Sequence, residues 1–144
     1  MLRFLRALAA VIGIATLPAA GLAQDTLYER LGGYRAIAAL ADDFVKRLAR
    51  DSLFDRFFAD ATDGSTEELR WMIVDFMCEE TGGPCIYTGR DMKAAHEGIG
   101  VTKEEWDRAI ALFGESMSAQ RVPAQEAQDL ATLIVPLESD IVEQ

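Results

Sequence analysis

Apolar residues recur at helical spacing along nearly the whole chain, and that property excludes most folds. Ile37, Leu40, Ala41, Phe44 and Leu48 form one such stripe, and Leu69, Met72, Ile73, Phe76 and Met77 form a second. Trp106, Ala109, Ile110, Phe113 and Met117 form a third, and Leu130, Leu133, Ile134, Leu137 and Ile141 a fourth. Steps of three and four residues return a side chain to the same helix face. No stretch alternates as a strand would, and no Asn-Gly or Asp-Gly turn separates strand-like runs. An all-α domain is expected.

Helix starts agree with the stripes. Thr26–Glu29, Ser65–Glu68 and Thr102–Glu105 read as capping boxes, in which each side chain accepts the other residue's free N–H. Val101 before the third box is placed to pack on Trp106. Pro123 suits a first helical turn, and Pro136 inside the last helix should bend it. The spacing predicts a short helix at 26–31, then helices near 34–50, 52–58, 65–80, 90–97, 102–119 and 123–142.

Residues 1–23 stand apart. A basic start with Arg3 and Arg6 leads into an uncharged run from Ala7 to Leu17, stopped by Pro18. Gly21 and Ala23 then offer small residues before Gln24. That is the layout of a cleavable secretory signal peptide. A spanning helix needs about 20 apolar residues, more than this run supplies. The expectation is a signal peptide at 1–23, a domain at 24–144, export to the periplasm and no stable membrane anchor after cleavage. The 144-residue chain carries a net charge of −10, and loss of Arg3 and Arg6 makes it more acidic. Such a surface repels phosphate backbones, so nucleic acid is excluded as a partner.

The chain has two cysteines and one histidine. Cys78 and Cys85 are not a CxxC pair and have no companions for a zinc site. In an oxidising compartment they are expected to form a disulfide, the alternative being two buried thiols. His96 follows Met92 by four residues and precedes Ile99 by three, on one helix face with polar flanks. One histidine cannot by itself hold zinc or non-haem iron. It can complete a haem site, because the porphyrin supplies four ligands and the protein one.

The segment "GGPCIYTGRDMKAAHEGI" carries a family resemblance. Gly82-Gly83-Pro84, then Tyr87, Gly89-Arg90, Met92 and His96 are similar to the middle block of group I truncated haemoglobins. Phe44 and Phe57-Phe58 resemble that family's earlier Phe-led helix and its closing Phe-Phe pair, and "LYERLGG" at 27–33 its start. The resemblance covers essentially all of residues 24–144. It implies a two-on-two helical sandwich around haem b and a diatomic gas ligand, O2, NO or CO.

Carried over residue by residue, it implies His96 as the proximal iron ligand. Met92 and Phe76 would pack on the haem faces, and Ile99, Trp106 and Phe113 would line the proximal side and the back. Arg70, Tyr87, Arg90 and Lys93 are candidates for the propionates, since a cation strengthens a hydrogen bond to a carboxylate. Phe44, Val45, Leu69, Met72 and Ile73 would form the distal pocket. One departure stands out: the family's oxygen-contacting tyrosine corresponds to Val45, and the next distal positions are Leu69 and Ile73. Val45, Leu69 and Ile73 are therefore expected to make an aliphatic wall with no donor over a five-coordinate iron. That favours a binder of small gases over a dedicated enzyme. The alternatives are a nitric oxide dioxygenase or peroxidase, and a globin-fold adaptor without haem. A reductase or signalling partner is expected without being identifiable.

Overall fold

The computed structural model describes residues 25–143. The expected signal peptide lies outside them. Every regular element among the described residues is helical. α1 spans Leu27–Arg30, α2 Gly33–Leu48, α3 Asp55–Phe58, α4 Asp63–Glu80 and α5 Met92–His96. α6 spans Lys103–Ala119, α7 Ala124–Ile134 and α8 Glu138–Ile141, with 3-10 turns at Ser52–Phe54 and Val135–Leu137.

Local chemistry sets the boundaries. The boxes at Thr26–Glu29 and Thr102–Glu105 form as the sequence predicts. The expected Ser65–Glu68 box does not form, because α4 begins earlier. The Thr62 side chain accepts from Ser65 N–H at 3.1 Å, and Ser65 Oγ accepts from Thr62 N–H at 2.8 Å. Ser65 is thus the third helical residue and not the cap, which leaves Glu68 free of any capping role. Pro123 stands at the cap position of α7, one residue earlier than expected. Pro136 does more than bend the last helix. With no N–H to donate and a ring that displaces the carbonyl one turn back, it divides the helix into α7, a 3-10 turn and α8.

α2 is the central element, packed on both α4 and α6. Its Ile37, Leu40 and Ala41 meet Val74, Met77 and Cys78 of α4 in one buried cluster. Phe113 of α6 and Leu130 of α7 close that cluster from the other layer. α1 packs on α2 and α7, and α5 on α8.

Leu40 is 2% exposed within the central cluster. Leu40→Ala should destabilise the fold by about 2–5 kcal/mol, the range for truncating a buried leucine. Urea unfolding followed by far-UV circular dichroism checks this, and a loss below about 0.5 kcal/mol, the level of surface substitutions, would contradict the packing described.

Candidate functional site

A cavity of about 800 Å³ opens between α4, α5 and α6. That lies within the range of small-molecule and cofactor sites, roughly 300–1,000 Å³. One wall comes from α2 to α4: Phe44, Leu48, Phe54, Phe57, Phe58, Leu69, Met72, Ile73 and Phe76. The opposite wall comes from α5 and α6: Met92, Ala95, His96, Ile99, Trp106, Ala109, Ile110 and Phe113. Ile134, Leu137 and Ile141 close the back.

Leu69, Met72 and Ile99 are 38%, 36% and 40% exposed, although all are large and apolar. All three line this cavity, so their accessible surface is presented to whatever it holds. A flat apolar group between the walls would cover them, a gain of roughly 25 cal/mol for each Å² removed from water.

His96 is positioned by local structure. Asp91 caps α5, accepting from Ala94 N–H at 2.8 Å. Met92 and His96 then lie one turn apart on the cavity face. His96 Nδ1 lies 2.7 Å from the Met92 carbonyl oxygen. A carbonyl oxygen only accepts, so Nδ1 carries the hydrogen. In the neutral ring the lone pair is then on the other nitrogen, Nε2, which is the form a metal requires. Among the described residues no group of three His, Cys, Asp or Glu side chains is arranged to hold a bare metal ion. A metal here must bring most of its own ligands, and this donor set fits a metal macrocycle with one imidazole.

The loop before α5 is built around Tyr87. Its hydroxyl donates to the Arg90 carbonyl at 2.8 Å, and its ring meets Phe76 edge-on at 5.4 Å. Burial raises the Tyr87 pKa above the ordinary phenol value. The ring lies so close over Gly89 that an added Cβ would come within 2.3 Å of Tyr87 Oη. Gly83 is similarly enforced, since a Cβ there would meet the Cys78 carbonyl oxygen and Sγ, both at 2.7 Å. The structure joins Cys78 to Cys85 with a Cα–Cα distance of 5.7 Å, within the range a disulfide spans. That bond ties the end of α4 to the loop carrying Tyr87 and Arg90.

Most of the site residues expected from the sequence converge on the cavity. His96, Met92, Phe76, Ile99, Tyr87, Arg90, Trp106 and Phe113 line it, as do Phe44, Leu69, Met72 and Ile73. Val45 does not. It is buried, at 4% exposure, outside the lining. α2 contributes Phe44 and Leu48 instead, which share a face one turn apart, and Val45 is rotated about 100° from Phe44. Arg70 is also outside the lining. Its guanidinium pairs with Asp42 and Glu67 and lies over the Trp71 ring at 4.2 Å, so it ties α4 to α2. Lys93 is exposed and outside the lining.

The sequence reading missed Leu48, Phe54, Glu105 and the α7–α8 contributions. Leu48 and Ile141 belonged to recognised stripes, but a stripe does not say which members face a core and which face a cavity. Glu105 was read only as a cap. It is also 5% exposed, lines the cavity, and is paired with Arg56 through Nε–Oε1 and Nη2–Oε2 contacts of 2.8 Å each.

With the geometry in place, the molecule belongs to a definite class: an all-helical sandwich around an apolar cofactor-sized cavity served by one imidazole. The model of the family described as bacterial-like globin matches residues 26–143, and the chain belongs to that family. A group 1 truncated hemoglobin of Nostoc sp. (strain MUN 8820) is 33% identical over 105 residues, covering 73% of this chain and 86% of the relative. One from Mycolicibacterium paratuberculosis is 28% identical, covering 81% and 83%. The solved structure of truncated hemoglobin from Tetrahymena pyriformis, Fe(III) form, superposes with a TM-score of 0.75 at 27% identity, covering 83% of this chain and all of that one. The two-on-two sandwich expected from the sequence is the fold observed.

The Glu105 carboxyl is held at a pKa of about 2, below its ordinary 4.5, chiefly by its hydrogen bond to Arg56. The folded form therefore favours the carboxylate. Its stabilising effect is fully present above pH 4.5 and is lost as pH falls towards 2. Glu105→Gln should flatten the stability profile between those values. Urea midpoints measured across the interval test this, and an unchanged slope would count against the pairing.

Proposed function

We propose that this chain is a haem b protein that binds a diatomic gas, with His96 as the residue that would hold the iron. The observation that carries this reading is the His96 imidazole in an apolar cavity with Nδ1 committed to the Met92 carbonyl. Haem, when bound, would supply an iron that can take a small gas, and His96 would be the residue that holds it. Met92, Phe76, Trp106 and Phe113 would grip the macrocycle. Tyr87 and Arg90 line the cavity, and the Arg90 guanidinium would be the cationic partner of a propionate. Both cysteines are bonded to each other, so the chain offers no thiol for covalent attachment, which supports haem b.

The wall opposite His96 decides the selectivity. Its Phe44, Leu48, Leu69, Ile73 and Phe76 donate no side-chain hydrogen bond. Glu68, the one charged lining residue on α4, is exposed and accepts when ionised. Such a wall gives no side-chain hydrogen bond to a gas that gains negative charge on binding. Oxygen loses most by this, and carbon monoxide and nitric oxide least. Peroxidase chemistry needs an acid–base group beside the iron, which this wall does not supply. The basic-then-apolar start of the chain and the Cys78–Cys85 pair together support export to an oxidising compartment.

The purified protein should bind hemin stoichiometrically and show the ferrous and carbon monoxide spectra of a histidine-ligated haem. His96→Ala should abolish both, and retention of full haem with an unchanged ferrous spectrum would overturn the assignment. Ile73→Gln adds a donor to the wall and should slow oxygen release by about tenfold or more, as one hydrogen bond to a charged group implies. Stopped-flow release kinetics check that. Material recovered from the periplasm should show no thiol titratable by Ellman's reagent in denaturant and two after reduction.

A further inference from the structure

Arg56 lies on α3, yet its guanidinium reaches across to the segment that follows His96. Nη1 donates to the Ile99 carbonyl at 3.0 Å and Nη2 to the Gly100 carbonyl at 2.6 Å. Nε and Nη2 also engage both oxygens of Glu105. Glu105 is anchored in turn. It accepts from Thr102 N–H at 2.8 Å and so belongs to the cap of α6. One planar cation thus joins three elements: α3, the segment after α5 and the start of α6.

The segment it holds has little stiffness of its own. Gly98 and Gly100 take φ of 79° and 69°, and an added Cβ at either would meet nothing within 4 Å. Their conformation is therefore not imposed by crowding. The segment is nonetheless tied to the imidazole's own residue, since Ile99 N–H donates to the His96 carbonyl at 3.1 Å. Ile99 and Val101 line the cavity. On the other side, the Arg56 guanidinium lies over the Phe57 ring at 3.9 Å, and Phe57 belongs to the opposite wall.

We propose that Arg56 is a positioning residue for the iron ligand: by clamping the Ile99 and Gly100 carbonyls to the capped start of α6, it fixes where α5 ends and how His96 presents Nε2 to the cavity. This rests on His96 being the haem ligand. The clamp needs a fork of donors lying in one plane. A lysine ammonium, a compact point charge, cannot serve both carbonyls and both carboxylate oxygens together. The same residue links the wall at Phe57 to the ligand's helix, so a change in seating on one side of the cavity reaches the imidazole on the other.

The test uses the full chain loaded with hemin. The iron–histidine stretching band of the ferrous protein is recorded by resonance Raman for wild type, Arg56→Gln, Arg56→Lys and Leu130→Ala. Leu130 is a core residue outside the cavity lining, so Leu130→Ala lowers stability without touching the clamp. The band should shift or broaden in Arg56→Gln and in Arg56→Lys, and stay in place in Leu130→Ala. Haem transfer to excess apomyoglobin should be about tenfold faster in Arg56→Gln, the ratio one charge-assisted hydrogen bond supplies. If Arg56→Gln does not fold, Arg56→Lys decides the matter. A wild-type band and transfer rate in whichever Arg56 variants fold overturns the proposal, as does an equal shift in Leu130→Ala. Wild-type protein that takes up hemin with His96 ligated while the variants are unchanged leaves the gas-binding reading intact. Wild-type protein that takes up no hemin overturns both.

Discussion

His96 Nδ1 and the Met92 carbonyl oxygen lie 2.7 Å apart, and the rest of the site depends on that contact. It fixes the tautomer, because a carbonyl has no proton to give. It fixes the ring's rotation, because the acceptor lies one turn back on the same short helix. α5 is only five residues long, too short to hold its shape by helix propensity in water. Its geometry comes from outside: the Asp91 cap, the Tyr87–Arg90 loop before it, α8 packed against it and the Arg56 clamp behind it. A ligating imidazole on so small an element is precise only to the extent that its supports are.

The helices around it solve a different problem. In most small domains the apolar stripes are spent on one another. Here the central cluster takes some members of the stripes on α2, α4, α6 and α7, while other members face the cavity and Met77 and Phe113 serve both. Phe44 packs against the core and lines the cavity, and its ring meets Phe113 edge-on at 5.3 Å, so core and site share a wall. Haem binding to such a frame adds to folding stability by mass action, since only the folded chain brings these surfaces together. The ion pairs have a supporting role. Arg30 to Asp129, Arg108 to Asp51 and Arg47 to Glu115 are surface links between elements and contribute little each. Arg56 to Glu105 differs because one partner is almost fully buried.

Departures from the expected pattern have local causes. Val45 follows Phe44 in sequence but not in space, since one helical step carries it off the cavity face. Arg70 had the charge a propionate wants, and Asp42, 28 residues earlier, takes it. The Thr62–Ser65 cap displaced the expected one and starts α4 at Asp63, although Ser65 followed by Glu67 and Glu68 is the stronger local signal. Each of these outcomes depends on a partner or a rotation that residue types alone do not specify.

The sequence by itself determined the helical class, most helix positions, the lone histidine's candidacy and the Gly-Gly-Pro block before it. These follow from interactions between residues three or four apart, which periodicity and capping chemistry report directly. It also brought Cys78 and Cys85 within reach of each other through a turn only a few residues long. Tertiary structure alone decided which stripe members face the core and which the cavity, that Leu48 takes the place expected of Val45, and that Arg56 reaches Ile99, Gly100 and Glu105. Those contacts join residues more than 40 positions apart. They depend on how the helices cross, and no local spacing encodes that.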